Sequence, residues 1–262
     1  MKTTRIFAEK EFPSVYVSGS SMQGDRSYQQ DALFYKRKGN CVLAAVCDGM
    51  GGLADGGRAS QKAVSVLQEK FEDMEEGDSI PDFLKRAAVS MDHAVAALTD
   101  EKGNDVHAGT TVTAAFVRKN ELHWMSVGDS KLYLFRDGKM QAVTKSHNYG
   151  TWMDEHLSFL EGVKNKKNAK KEALVSYLGM NGIRMLDYNE KPFLMQPGDI
   201  MLLCTDGIYK AIPEEGIQQI LEACQDDFDI SAEVLIDAAD EYGKKPLDNC
   251  TAVLLKYHEE EY

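Results

Sequence analysis

The sequence predicts an α+β fold of two antiparallel β-sheets flanked by helices. Short apolar runs that end on a glycine-aspartate pair, such as residues 41–47 ahead of Asp48-Gly49 and 200–205 ahead of Asp206-Gly207, read as strands buried in a core. Strand-like runs bracket paired amphipathic segments without the strict alternation of a doubly wound fold. The runs at 122–127 and 131–135 are separated only by Gly128-Asp129-Ser130, which predicts an antiparallel meander in the middle of the chain.

In chain order, strands are expected at 15–18, 32–35 and 41–47. Two helices follow, one with Ala63, Val64, Leu67 and Phe71 on a single face and one with Leu84, Ala87, Ala88, Met91, Val95 and Leu98, Pro81 standing near the start of the second. Strands return at 111–117, 122–127 and 131–135, and again at 174–178, 193–195, 200–204 and 251–256. Two further helices carry Ile217, Ile220 and Leu221, then Val234, Leu235, Ala238 and Tyr242. Between the strands at 131–135 and 174–178, 148–171 reads as an insertion, with Trp152, His156, Phe159, Leu160 and Val163 at helical spacing and then Lys164, Lys166, Lys167, Lys170 and Lys171. That basic run is either a rim that steers anionic substrates or a solvated loop.

Composition narrows the function. With 262 residues, 43% of them hydrophobic, one domain over 1–262 with a single substantial core is expected. Its 30 Lys and Arg against 42 Asp and Glu leave a net charge of -12, which disfavours nucleic acid and suits metal ions or cationic peptides. Cys41, Cys47, Cys204, Cys224 and Cys250 lack Cys-x-x-Cys spacing and read as small core residues in a reducing compartment. No apolar stretch is long enough for a membrane span and the N-terminus reads as no signal peptide, so a cytoplasmic monomer is expected.

The aspartates lie in six ordered segments: Gly24-Asp25-Arg26 leading to Asp31, Asp48-Gly49-Met50-Gly51-Gly52, Gly109-Thr110-Thr111, Gly128-Asp129-Ser130, Asp206-Gly207, and Asp248-Asn249-Cys250-Thr251. Together they resemble the metal-dependent serine/threonine protein phosphatases of the PPM, or type 2C, family over residues 22 to 256. The resemblance implies a four-layer αββα sandwich with two Mn²⁺ or Mg²⁺ ions at one end. It implies that Asp48 bridges both ions, that the Gly49 carbonyl ligates one, and that Asp206 and Asp248 ligate the other. It makes Asp31 the group that holds metal-bound water, Arg26 the phosphate-binding arginine, Asp129 with Asp206 a weaker third metal site, and Asn249 an orienting neighbour of Asp248. Phosphorylated proteins are the implied substrates, and a cognate serine/threonine kinase the implied partner.

The residue types suit that chemistry on their own terms. Mg²⁺ and Mn²⁺ take carboxylate, carbonyl and water oxygens, and a metal pair can lower the pKa of a shared water and aim it in line at phosphorus. An arginine fork matches two phosphate oxygens. Other features have plainer readings: Gly24 and Asp25 as turn residues, Gly51, Gly52, Gly56 and Gly57 as a tight glycine-rich loop without the Gly-Lys-Ser/Thr of a phosphate cradle, and His93, His107 and His123 as structural. Several positions depart from the family pattern. Met50 stands where many eukaryotic members carry a histidine, which leaves leaving-group protonation to metal-bound water. Gln30 replaces an acid, Ser146-His147-Asn148 matches an Asp-His pair only in part, and Lys210 stands where many members place a third-site carboxylate. Two alternatives accompany the phosphatase reading: a catalytically weak phosphatase-like binding module, and a hydrolase of small phosphomonoesters.

Overall fold

The computed structural model describes residues 4–6, 15–51, 55–156 and 171–258. The strands are β1 (Thr4–Ile6), β2 (Val15–Met22), β3 (Asp31–Lys38), β4 (Cys41–Gly51), β5 (Ala108–Thr110), β6 (Val112–Arg118), β7 (Glu121–Val127), β8 (Lys131–Arg136), β9 (Lys139–Ala142), β10 (Asp187–Tyr188), β11 (Phe193–Leu194), β12 (Ile200–Cys204) and β13 (Cys250–Tyr257). The helices are α1 (Asp55–Asp73), α2 (Ile80–Ala96), α3 (Tyr149–His156), α4 (Asp206–Ala211), α5 (Glu214–Ala223) and α6 (Ser231–Tyr242). One sheet has the order β1-β2-β13-β12-β8-β9 and the other β10-β7-β6-β4-β3, with β11 added on β7 and β5 on β4.

Side-chain alternation along each central strand explains the four layers. In β4, Val42, Ala44 and Val46 face the other sheet and meet Met201, Leu203, Val253 and Leu255. Leu43, Ala45 and Cys47 point the opposite way, onto α1 and α2. In β12, Met201 and Leu203 face inward while Ile200, Leu202 and Cys204 lie under α4, α5 and α6. Strands covered on both faces read as unbroken apolar runs, and for that reason they are the easiest elements to find in the sequence. Ser79 caps α2 through the Asp82 N–H, and Pro81 sits in its first turn, where a missing N–H costs nothing.

Three expectations change. The Gly128-Asp129-Ser130 turn does not close a hairpin: β7 pairs with β6, whereas β8 pairs with β12 and β9 in the other sheet. A tight turn records a reversal of the chain but not which sheet receives the next strand. The run 174–178 is no strand and makes only isolated bridges, Asn148 to Leu174 and Thr110 to Leu178. Side chains take over its neighbourhood's backbone pairing: the Ser176 hydroxyl bonds both the N–H and the C=O of Met185, and the buried Asp92 carboxylate accepts from the N–H groups of Gly179, Met180 and Gly182. Helix α4, which follows directly from β12, was not expected. In the insertion, α3 stacks Tyr149, Trp152 and His156 but buries none of its residues. Phe159, Leu160, Val163, Lys164, Lys166, Lys167 and Lys170 lie outside the described residues, as does Gly52.

Candidate metal centre

Strand register brings the aspartates to one end of the sandwich. Asp31, the first residue of β3, stands directly across from Asp48 near the end of β4. In the facing sheet, Met22 at the end of β2 pairs with Cys250 at the start of β13, and Cys204 at the end of β12 pairs with Ala252 and with Lys131 of β8. Arg26, Asp248, Asp206 and Asp129 follow or precede these strand ends by two to four residues.

The loops are tied to one another by side chains that bond backbone groups. Asn249 is buried, donating from its amide to the carbonyls of Gln23 and Tyr28 and accepting from the Gln30 N–H, while its own N–H donates to Asp248 Oδ1 at 2.9 Å. It therefore touches Asp248 through its backbone and stitches three segments together, and it faces protein rather than open solvent. Asp25 also does more than make a turn, because its carboxylate accepts from the Leu247 N–H at 2.7 Å. Glycines set the closeness of approach. A Cβ on Gly207 would stand 2.0 Å from the Asn249 carbonyl oxygen, so only glycine lets α4 seat Asp206 beside the Asp248 loop. A Cβ on Gly49 would meet the Gly56 oxygen at 2.0 Å, and one on Gly56 would stand 2.8 Å from the Gly49 oxygen. The glycines at the start of α1 thus serve close packing against Gly49.

Hydroxyls that the sequence reading passed over support the carboxylates. Thr205 donates to Asp31 Oδ2 at 2.7 Å, and its Oγ1 accepts from the Thr251 N–H. Thr111 Oγ1 accepts from the Asp48 N–H at 2.9 Å and pairs with the Ser130 hydroxyl, while Thr110 donates to the Asp48 carbonyl. The available signal was a threonine at the solvent end of an apolar run, directly before Asp206 or just after Asn249-Cys250. His147 is fully buried; its backbone N–H donates to the Gly128 carbonyl and its Nδ1 accepts from the Gly128 N–H at 3.2 Å. It clasps the Asp129 turn from behind. His93 and His107 are exposed, consistent with their plain reading.

Charge is unevenly balanced here. Burial, then repulsion from Asp206 and Asp248, raises the Asp31 carboxyl to about 7 against the pull of the Thr251 and Thr205 hydroxyls. Burial and the charges of Asp31, Asp206, Asp129 and Asp248 hold Asp48 well above the ordinary carboxylate range. Asp129 rises to about 6, by burial first and Asp206 second, with Lys210 and Lys131 opposing. Arg26 Nη2 lies 2.7 Å from Asp248 Oδ2, and Asp206 and Asp48 add to the field that keeps its guanidinium protonated.

Such a donor set fits hard divalent cations. It is rich in oxygen and short of positive charge, and the thiols beside it do not compete: burial pushes Cys204 to about 12 and Cys47 and Cys250 higher still. Among the described residues no three Asp, Glu, His or Cys side chains close on one point. An all-oxygen donor set suits Mg²⁺ or Mn²⁺, which keep several waters and take few protein ligands each.

A consequence follows for pH and metal. A carboxyl raised in the folded state stabilises the fold fully below its unfolded value near ~4, and that contribution is lost as pH rises through the folded value. For Asp31 and Asp129 the loss falls between the unfolded value and about 7 and about 6 respectively. In chelator the melting temperature is therefore expected to carry a falling contribution from these groups between about pH 4 and about pH 7, and added Mn²⁺ to restore most at the higher pH, where it replaces protons. Thermal melts over that range test this; a metal-free Tm that climbs with pH contradicts it.

The chain resembles known proteins in sequence and in fold. A family model described as Protein phosphatase 2C matches residues 18–235. The chain is 28% identical over 229 residues to the serine/threonine phosphatase stp of Listeria welshimeri, spanning 85% of this chain and 87% of that protein. It is 32% identical over 183 residues to the serine/threonine protein phosphatase PstP of Mycobacterium tuberculosis, spanning 69% of this chain and 34% of the relative. The crystal structure of M. tuberculosis PstP/Ppp superposes with a TM-score of 0.78 at 26% identity, covering 94% of this chain and all of that one. The catalytic domain of PstP in complex with two manganese ions superposes with a TM-score of 0.74 at 27% identity, over 95% of this chain and 100% of that one. With the family model matching well over half its length, the chain belongs to the protein phosphatase 2C family and is a metal-dependent serine/threonine protein phosphatase.

Proposed function

We propose that the enzyme holds two Mn²⁺ or Mg²⁺ ions between Asp48, the Gly49 carbonyl, Asp206 and Asp248, and with them hydrolyses phosphoserine and phosphothreonine in cytoplasmic phosphoproteins. The observation that carries this reading is the convergence of Asp31, Asp48, Asp129, Asp206 and Asp248 at one end of the sandwich beside Arg26, where burial and mutual repulsion leave the carboxylates in need of cations. When bound, the ions supply a water of lowered pKa and neutralise charge on the phosphoryl oxygens.

The chain's own residues do the rest. Arg26, more than half exposed, presents its fork at the mouth of the site with one donor engaged by Asp248, a position suited to a phosphate arriving from solvent. Asp31, fixed by Thr205 and opposite Asp48, can hold and orient a water there. The Thr111 and Thr110 hydroxyls fix the Asp48 backbone so that its carboxylate needs little reorganisation.

The five cysteines are free thiols, which agrees with a reducing cytoplasm, and no helix among the described residues is long and apolar enough to cross a membrane. One catalytic domain over 1–262 acting as a monomer, opposed to a serine/threonine kinase, completes the proposal. Its test is phosphate release from a phosphoprotein with added Mn²⁺ and then with chelator, alongside free phosphoserine. Metal-dependent release that favours the phosphoprotein is expected. Turnover indifferent to chelator overturns the metal assignment, and equal rates on free phosphoserine overturn the protein-substrate assignment.

A further inference from the structure

We infer that the ε-ammonium of Lys210 occupies the place of a third cation between Asp206 and Asp129, so that the centre takes two divalent ions and carries its remaining positive charge on the chain. This rests on the two-ion reading above. Lys210 Nζ lies 2.6 Å from Asp206 Oδ2, a contact that α4 builds by setting the residues four apart on one face. The Asp206 side chain is only 14% exposed and Lys210 about half, so the pair is shielded more than an ordinary surface ion pair.

Beyond its contact with Asp206, the ammonium lies in the field of Asp129. Asp206, Asp129 and Glu172 all stabilise its charge against the cost of burial, and Lys210 in turn opposes the rise of Asp129. The adjacent Tyr209 donates its hydroxyl to the Asp129 carbonyl at 3.1 Å, and Lys131 Nζ sits 4.3 Å above the Tyr209 ring. Two consecutive residues of α4 therefore pin the Asp129 turn, one through its backbone and one through its charge. A divalent ion placed between Asp129 and Asp206 meets a fixed like charge and an Asp206 oxygen already engaged. The other Asp206 oxygen is left for the principal centre. A tethered cation also cannot be removed by dilution or chelator, unlike a weakly held ion.

The experiment counts Mn²⁺ bound per chain, by equilibrium dialysis and by electron paramagnetic resonance, in the wild type, Lys210→Asp and Lys210→Asn. Two ions are expected in the wild type and three in Lys210→Asp, whose third site should tighten by at least about a hundredfold because one substitution removes a repelling charge and adds an attracting one. Lys210→Asn, an uncharged oxygen donor, covers the case in which the extra carboxylate disrupts α4; it should gain the same ion at roughly tenfold lower affinity. Three ions in the wild type, or two in both folded variants, overturn the inference alone. Fewer than two in the wild type overturn the two-ion reading and this inference with it.

Discussion

Asp206→Asn is expected to cut phosphate release to below about a thousandth of the wild-type rate, and Asp48→Asn to do the same, with the fold intact in both. Each change removes one charged oxygen from the proposed ion ligands and little from the packing. The Asp48 carboxylate carries the heaviest electrostatic load, since burial and four neighbouring aspartates all raise it. Its neutralisation should leave the melting temperature in chelator unchanged or higher, while the stabilisation that Mn²⁺ gives the wild type shrinks. For Asp206 the affected neighbour is Lys210, whose Nζ then loses the charge it pairs with at 2.6 Å. An ammonium about half exposed tolerates that loss at small cost. Rates at saturating Mn²⁺, read beside thermal melts with and without metal, decide the matter. Wild-type turnover in Asp206→Asn would show the binuclear assignment to be wrong, and a collapsed melt would recast the aspartate as structural.

Arg26→Ala is expected to lower kcat/KM by about 2–4 kcal/mol, from roughly thirtyfold to a thousandfold, provided that the guanidinium meets the phosphate as a fork in a partly desolvated site. The side chain is 56% exposed and its contact with Asp248 is a single N–H to Oδ2 bond, so its removal takes little from stability. The loss should therefore appear in catalysis and not in the melt. Arg26→Lys should recover only part of it, because an ammonium gives a point charge without the planar pair of donors. Steady-state kinetics on one aryl phosphate suffice. An unchanged kcat/KM would reduce Arg26 to a surface partner of Asp248.

The apolar runs of β4 and β12 are legible because strands covered on both faces leave no polar alternation, and each ends on an aspartate where the core stops. Asp48 and Asp206 could therefore be picked out by position alone. The faces of α1, α2 and α5 were equally readable, since each packs one stripe against a sheet, whereas α6 buries Ala232, Leu235, Ile236 and Ala239 and leaves the expected Tyr242 exposed. Sequence spacing misread the Gly128-Asp129-Ser130 turn as a hairpin, although β7 and β8 belong to different sheets. It also made a strand of 174–178, where Ser176 and Asp92 satisfy the backbone instead.

Which residues could supply oxygen to a cation was thus determined by the sequence itself, because ligand type and strand-end position are local properties of the chain. Only the tertiary structure decided how they meet. The register that sets Asp31 opposite Asp48, the Asn249 amide that joins three loops, the threonines behind both carboxylates, and the helical turn that lays Lys210 on Asp206 all depend on contacts between residues distant in sequence or on an unforeseen helix. Such contacts arise from the packing of two sheets against each other, and no local pattern of hydrophobic and polar residues encodes them.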